Sequence, residues 1–210
     1  MARHKHPAPG HLRESIAHLA ARLMAEGIAD FALAKRKAAH QLGASDTQHL
    51  PNNSEIEQAL HSYQALYRRE HQASLLHTLR AQALRTMQVL ERFDPLLTGS
   101  VLSGTATEYS DINLLLFADS QKDVELYLLN HDLPYQAREK RFRFSDSRQP
   151  TPVLLLSYSG TADVQLAIFS IADRRCLPLC PVDGRAMRGA RLQEVQSLLE
   201  NEIERPFYND

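Results

Sequence analysis

The hydrophobic pattern of the chain changes near residue 94. Before that point apolar side chains recur at three- and four-residue spacing, and beyond it they come in short continuous runs. In LRESIAHLAARLMAEG, Leu12, Ile16, Leu19 and Leu23 form one stripe, which predicts a helix that Gly27 ends. Asp30 is placed to cap a second helix, FALAKRKAAHQLG, which stops at Gly43. The loop ASDTQHLPNN follows, and Ser54 with Glu57 reads as a capping box. Helical spacing then continues to Arg92 through Ile56, Leu60, Tyr63, Tyr67, Leu75, Leu76, Leu79, Ala83, Met87 and Leu90. A break near Arg69-Glu70-His71 is expected in place of one uninterrupted helix. Strict heptads are not sustained, so these stripes predict a packed bundle and not a coiled coil.

After Asp94-Pro95 the runs LLTGS and INLLLF are bounded by Gly, Ser and Asp, as strands are. SQKDVELYLLNHD predicts a helix opening at Ser120, and YQAREKRFRF an edge-like strand. TPVLLLSYSGTADVQLAIF predicts a hairpin turning near Ser159-Gly160, and ARLQEVQSLLENEIE a last helix. The expected class is α+β. A helical region, residues 1–83, precedes a mixed sheet flanked by helices, residues 84–210. A chain of 210 residues is long enough to bury a sizeable core.

Composition narrows the function less than the pattern does. The content is 43% apolar and 23% charged, ordinary for a soluble protein. A formal net charge of -1 supplies no global field for nucleic acid, so such a partner is disfavoured without a local patch. Lys35, Arg36 and Lys37 read first as a solvated helix face and second as a phosphate contact. Arg138, Lys140, Arg141 and Arg143 read first as charges that protect a sheet edge. Their second reading is phosphate neutralisation. Arg174, Arg175, Arg185, Arg188 and Arg191 are diluted by acidic neighbours. No apolar run approaches the roughly 18 residues of a membrane span. The start, MARHKHPAPGHLRE, lacks the apolar core of a signal peptide. The expected location is cytoplasmic, with no membrane partner. Cys176 and Cys180 have no His pair nearby to complete a metal site, and read as reduced thiols. His4, His6 and His11 suggest only adventitious metal binding.

The candidate chemistry lies in LLTGSVLSGTATEYSDINLLLF. A Gly-Ser turn, Gly99-Ser100, exposes backbone N–H groups and a hydroxyl to a phosphate chain. Asp111 and Asn113 are spaced by one residue, so on a strand they share a face. Asp163, within TADVQLAIF, is the natural third acid, placed on an apolar strand where burial without a partner or ion is costly. Ser110 braces the turn through a side-chain hydrogen bond. Tyr109 either stacks on a base or packs against the turn.

Gly99-Ser100, ten residues, Asp111-x-Asn113 and the later Asp163 together resemble the nucleotidyltransferase superfamily, especially its minimal GS-x10-D-x-D branch. The resemblance covers residues 84 to 170. It implies a small mixed sheet flanked by helices, a nucleoside triphosphate ligand with Mg²⁺, and transfer of a nucleoside monophosphate to a hydroxyl. By that resemblance Gly99, Ser100 and Ser110 would hold the nucleotide. Asp111 and Asp163 would be catalytic, and Asp111, Asn113 and Asp163 would ligate the metal. The segment ARLMAEGIADFALAKRKAAHQLG is also similar to one in uncharacterised proteobacterial proteins that carry such a domain.

Two departures weaken the implied activity. Asn113 offers a neutral carbonyl oxygen where the pattern has a carboxylate, which removes one charge that would balance two cations. The turn Val101-Leu102-Ser103-Gly104-Thr105-Ala106 holds no Arg to meet a triphosphate. The leading expectation is a catalytically impaired protein that binds a nucleotide or phosphorylated ligand in a regulatory or scaffolding role. The alternatives are an active Mg²⁺-dependent transferase, with Glu108 assisting, and a non-enzymatic module that binds a protein partner.

Overall fold

The computed structural model describes residues 9–44, 49–67, 69–145 and 149–203, so His4 and His6 lie outside the described residues. The chain divides into two compact units. The first takes Met1–Gln72 with the short segments Thr107–Tyr109 and Pro181–Asp183; the second takes Ala73–Ala106, Ser110–Cys180 and Gly184–Asp210.

The first unit is built on α1 (Pro9–Ala25), α2 (Phe31–Gln41) and α3 (Asn53–Tyr67). Its core buries Ile16, Ala20, Ala21, Ala34, Ala38, Ile56 and Leu60; of the predicted α1 stripe only Ile16 is fully buried, and Leu12, Leu19 and Leu23 pack partly buried against it. Alanine at the contact points lets helices approach closely. Asp30 caps α2 as expected, accepting the Leu33 N–H at 2.6 Å. The cap of α3 stands two residues before the expected Ser54 and Glu57. Asn52 Oδ1 accepts the Glu55 N–H at 2.8 Å, and Glu55 Oε2 accepts the Asn52 N–H at 2.6 Å. Asn caps a helix as well as Ser does. Glu55 is fixed in that role by Arg13, whose guanidinium grips the same carboxylate at 2.6 and 2.7 Å.

The fourth helix, α4 (Arg69–Val89), follows α3 across residue 68, which lies outside the described residues. The second unit then continues with β1 (Leu96–Thr98), α5 (Ser100–Ser103), β2 (Ile112–Phe117) and α6 (Gln121–Asn130). After these come β3 (Gln136–Phe142), β4 (Thr151–Tyr158), β5 (Val164–Phe169) and α7 (Leu192–Ile203). The class is α+β, with a five-stranded mixed sheet ordered β1-β2-β5-β4-β3. β2 and β5 pair in parallel at its centre, and the other pairs are antiparallel. Central strands covered on both faces read as nearly continuous apolar runs, which is why INLLLF and VQLAIF do.

One sheet face packs against helices. Leu79, Ala83 and Met87 of α4, Val124 and Leu128 of α6 and Val195 of α7 join Ile112, Leu114, Leu116, Leu166 and Ile168 in one buried cluster. The opposite face is buried at only one end. There Leu115, Phe117, Leu155 and Phe169 pack with Phe142 and Phe144, under Leu177 and Met187. Among the described residues no helix is long and apolar enough to cross a membrane.

Candidate functional site

The strand register brings the predicted residues together. Ile112 pairs with Val164 and Asn113 with Gln165 across the parallel β2–β5 interface, and the Ile112 N–H donates to the Asp163 carbonyl at 2.8 Å. Asp111 and Asp163 therefore stand side by side at the N-terminal ends of neighbouring strands. Asp163 differs from expectation in one respect. It precedes β5 by one residue and is exposed, so water covers the solvation cost that a strand-interior acid would carry. Asp111 is half-buried, and its carboxylate accepts a hydrogen bond from the Gln165 side-chain amide. Burial raises the Asp111 pKa above the ordinary carboxylate range, and the neighbouring Asp163 raises it further. The Gln165 bond and the cations Arg138 and Lys140 act in the opposite direction.

The register also builds a polar row that sequence reading missed. Thr98, Asn113, Gln165, Ser157 and Gln136 pair in succession across all five strands on the face opposite the helices. The next row on that face reads Leu96, Leu115, Ala167, Leu155 and Arg138. A signal for Gln165 was present. INLLLF and VQLAIF each carry a polar residue second in an otherwise apolar run.

Gly99 closes the other side of the site. It lies between β1 and α5 at φ 75°, a left-handed conformation that glycine adopts without the steric cost of a Cβ. A side chain there would begin 3.5 Å from Asn113 Nδ2. Ser100 opens α5, and its carbonyl accepts the N–H groups of Gly104 at 2.9 Å and Thr105 at 3.0 Å. Ser110 belongs to the segment just ahead of β2. Asn113 turns its amide N–H to the Asp111 carbonyl at 3.1 Å.

Helix α4 braces both loops of the site, through two residues that sequence analysis did not single out. The buried Arg80 donates to the Val101 carbonyl at 3.0 Å and the Leu102 carbonyl at 3.2 Å. Those bonds tie α5, and with it Gly99-Ser100, to α4. The turn lacks an arginine of its own, and this one arrives from another element. Gln82 grips Ala162, the residue before Asp163, with both ends of its amide. Its nitrogen donates to the Ala162 carbonyl at 2.8 Å and its oxygen accepts the Ala162 N–H at 3.0 Å. Gly160 lets that amide approach, since a Cβ there would meet Gln82 Nε2 at 2.6 Å.

Arg138 and Lys140 lie on β3, the outer strand, where every residue but Phe142 is exposed. That position agrees with edge protection. Pairing with Leu155 and Val153 also puts both cations on the face of Asn113 and Gln165, whereas Arg141 faces the other way. Although exposed, Lys140 has an ammonium 5.4 Å from the Phe142 ring centroid. Its pKa is lowered, first by partial burial and then by Arg138, with Asp111 opposing.

Glu108 and Tyr109 belong to the first unit. Glu108 pairs there with His71 at 2.7 Å, and the Tyr109 ring lies against Gly27. Lys35 is held below the ordinary lysine range mainly by partial burial, with Glu55 opposing. Cys176 and Cys180 carry no disulfide.

The donor set does not fit a pair of divalent ions. Among the described residues no group of three His, Cys, Asp or Glu side chains is placed to hold a metal. One Asp111 oxygen is engaged by Gln165, and Asn113 directs an N–H toward the Asp111 carbonyl. Two-metal chemistry needs carboxylates that clamp both ions, and among the described residues no third acid joins Asp111 and Asp163 in a metal-holding group.

The chain matches no protein-family profile and no curated protein. Among solved structures, that of Cid1 in complex with the UTP analog UMPNPP matches at 18% identity with a TM-score of 0.30. The match covers 44% of this chain and 30% of that one. A likeness of that size supports no conclusion about this chain.

Proposed function

We propose that the second unit is a nucleotidyltransferase-like binding module, which takes a nucleotide or a related phosphorylated ligand and does not transfer it. The observation that carries this reading is the parallel register of Asp111-Ile112-Asn113 with Asp163-Val164-Gln165. It puts hydrogen-bonding side chains in a two-by-two array on one sheet face, beside the Gly99-Ser100 turn. In the pattern that this array resembles, carboxylates hold two ions. Here amides take the inner positions, so the array can orient hydroxyls and polar edges but lacks the charge to stabilise a departing pyrophosphate. A regulatory or scaffolding role follows from binding without turnover.

The test is isothermal titration of the full chain with ATP, GTP, CTP and UTP, with and without Mg²⁺. Incubation with α-labelled triphosphate and candidate acceptors accompanies it. Saturable binding that Asp111→Ala abolishes, with no label transferred, is the expected outcome. Absence of binding at millimolar nucleotide would discard the reading. Label transferred to an acceptor would replace it with an active transferase.

A further inference from the structure

A cavity at the other end of β5 takes no part in the site described so far. Asp163 and Ser170 stand seven residues apart, one just before the strand and one just after it, roughly 20 Å along the sheet. Past Phe169 the cavity has a volume of about 590 Å³, within the range that small-molecule sites occupy. Its position follows from the topology. β2 and β5 run in parallel and finish together, where the Ala118 N–H donates to the Phe169 carbonyl at 3.0 Å. The connection from β2 brings Gln121, the first residue of α6, to the cavity, and the connection from β5 brings Ser170, Asp173 and Cys176. Open sheets with helices bind ligands in crevices at the carboxyl ends of parallel strands.

The lining is divided. Phe144, Val153 and Phe169 are buried and make an apolar wall, whereas Gln121 and Thr151 are exposed and carry an amide and a hydroxyl. Asp173 and Cys176 are half-buried between them. Asp173 is held in place, since its Oδ2 accepts the Ser170 hydroxyl at 2.7 Å and the Ser170 N–H at 3.2 Å. Both bonds fall on one oxygen, and a carboxylate has two. Among the described residues no Lys, Arg or His lines the cavity, and Asp173 is its one charged side chain. Arg174, the next residue, is drawn instead to Asp94 at 2.5 Å.

We infer that this cavity is a second small-molecule site, for a ligand with a flat apolar body and a cationic amine. The body lies against Phe144, Val153 and Phe169, and the ammonium lies on Asp173. An ammonium donates three hydrogen bonds, and the Asp173 carboxylate, the Gln121 carbonyl and the Thr151 hydroxyl are acceptors around one opening. An anionic ligand would meet a carboxylate and no counter-charge. This site is separate from the nucleotide-binding reading above and stands or falls without it.

Cys176 reports occupancy. Its thiol lines the cavity, 3.7 Å from the Ser145 hydroxyl, whereas Cys180 does not line it and serves as the control. The experiment alkylates the full chain with N-ethylmaleimide in the presence of naphthylmethylamine, naphthylmethanol or naphthoate, and mass spectrometry follows each cysteine. Saturating amine should slow alkylation of Cys176 about fivefold or more and that of Cys180 by less than about twofold. The amine should protect at about fivefold lower concentration than the alcohol, the size of a half-exposed charge pair, and naphthoate should not protect. Asp173→Asn keeps an oxygen for Ser170 and should erase the preference for amine over alcohol. Should that variant melt below wild type, the three naphthalene compounds on wild type still decide.

No protection by the amine at millimolar concentration overturns the inference. Equal protection of Cys176 and Cys180 does the same, because the amine would then act away from the cavity. So does protection that is equal for amine, alcohol and naphthoate, or a preference for amine that Asp173→Asn leaves unchanged.

Discussion

Two ends of one sheet face differ sharply in this protein. Where β2 and β5 finish, Phe117 and Phe169 pack with Phe142, Phe144, Leu155 and Val153, and the segment carrying Leu177 and Met187 closes over them. Where the same strands begin, the face carries Thr98, Asn113, Gln165 and Ser157, with Asp111 and Asp163 at the margin. The backbone is the same continuous ladder in both places. What differs is whether side chains give up water to each other or keep groups available for another molecule. Buried polar groups destabilise unless partnered, and in this row Thr98 donates to the Asn113 carbonyl, Asn113 to the Asp111 carbonyl and Gln165 to the Asp111 carboxylate.

The apolar end should respond to truncation as a closed core. Phe169 is 3% exposed and meets Phe142 edge-on at 5.3 Å and Phe144 at 6.0 Å. Phe169→Ala should cost about 3–5 kcal/mol in urea denaturation, because the cavity cannot collapse against a stiff sheet. A cost below about 1 kcal/mol would mean that this end is as open as the other, and the contrast would be lost.

The polar end is expected to depend on α4 more than on its own packing. Gln82→Ala should cost about 1–3 kcal/mol, since the Ala162 N–H and carbonyl both lose their partner. Gln82→Glu separates the two bonds. It keeps an acceptor for the Ala162 N–H and sets a carboxylate against the Ala162 carbonyl, so it should be no better than alanine. If Gln82→Ala weakened ligand binding without altering stability, the brace would act on Asp163 alone.

Much of this architecture can be read from the chain, and the limits have physical causes. The central strands were legible as strands, though not their parallel pairing, because they form short continuous apolar runs, as in INLLLF. The caps at Asp30 and Ser120 were legible because capping is local, a matter of three residues. At α3 the same rule pointed to Ser54 where Asn52 is the cap, and the Arg13–Glu55 pair that accompanies Asn52 is invisible in local sequence. Asp111, Asn113 and Asp163 were found as a set because their spacing matched a pattern. Their meeting in space required the β2–β5 register, which no periodicity specifies. Arg80 and Gln82 were missed for a related reason. Gln82 reaches a loop 80 residues away, and nothing in a helical stripe distinguishes a polar residue that braces a loop from one facing water.

A substitution that moves Asn113 toward the pattern it departs from sharpens the contrast further. Asn113→Asp adds a third negative charge beside Asp111 and Asp163. It should lower stability at neutral pH by about 1 kcal/mol, the order of a like-charge contact in a water-like surrounding. Mg²⁺ should then raise the melting temperature of the variant, since a ligand that binds only the folded state stabilises it. Wild type should show no such rise. A Mg²⁺-dependent shift of equal size in both would mean that the asparagine already serves a bound ion, and that the polar end is a metal site after all.

The smallest expected effect isolates the carboxylate itself. The Asp111 pKa is raised, first by burial and then by Asp163, so the folded chain holds that proton more tightly than the unfolded chain does. Above the ordinary carboxylate range, near about pH 4, the unfolded state loses its proton before the folded state does. Stability therefore falls as pH rises through the raised folded pKa. Asp111→Asn removes that loss and keeps an oxygen for the Gln165 amide to reach. The variant should melt higher than wild type at neutral pH, with the gap closing as the pH drops below the unfolded carboxylate range. A gap of opposite sign at neutral pH would mean that Arg138 and Lys140 together outweigh burial and Asp163. The charge of Asp111 would then be balanced within the protein.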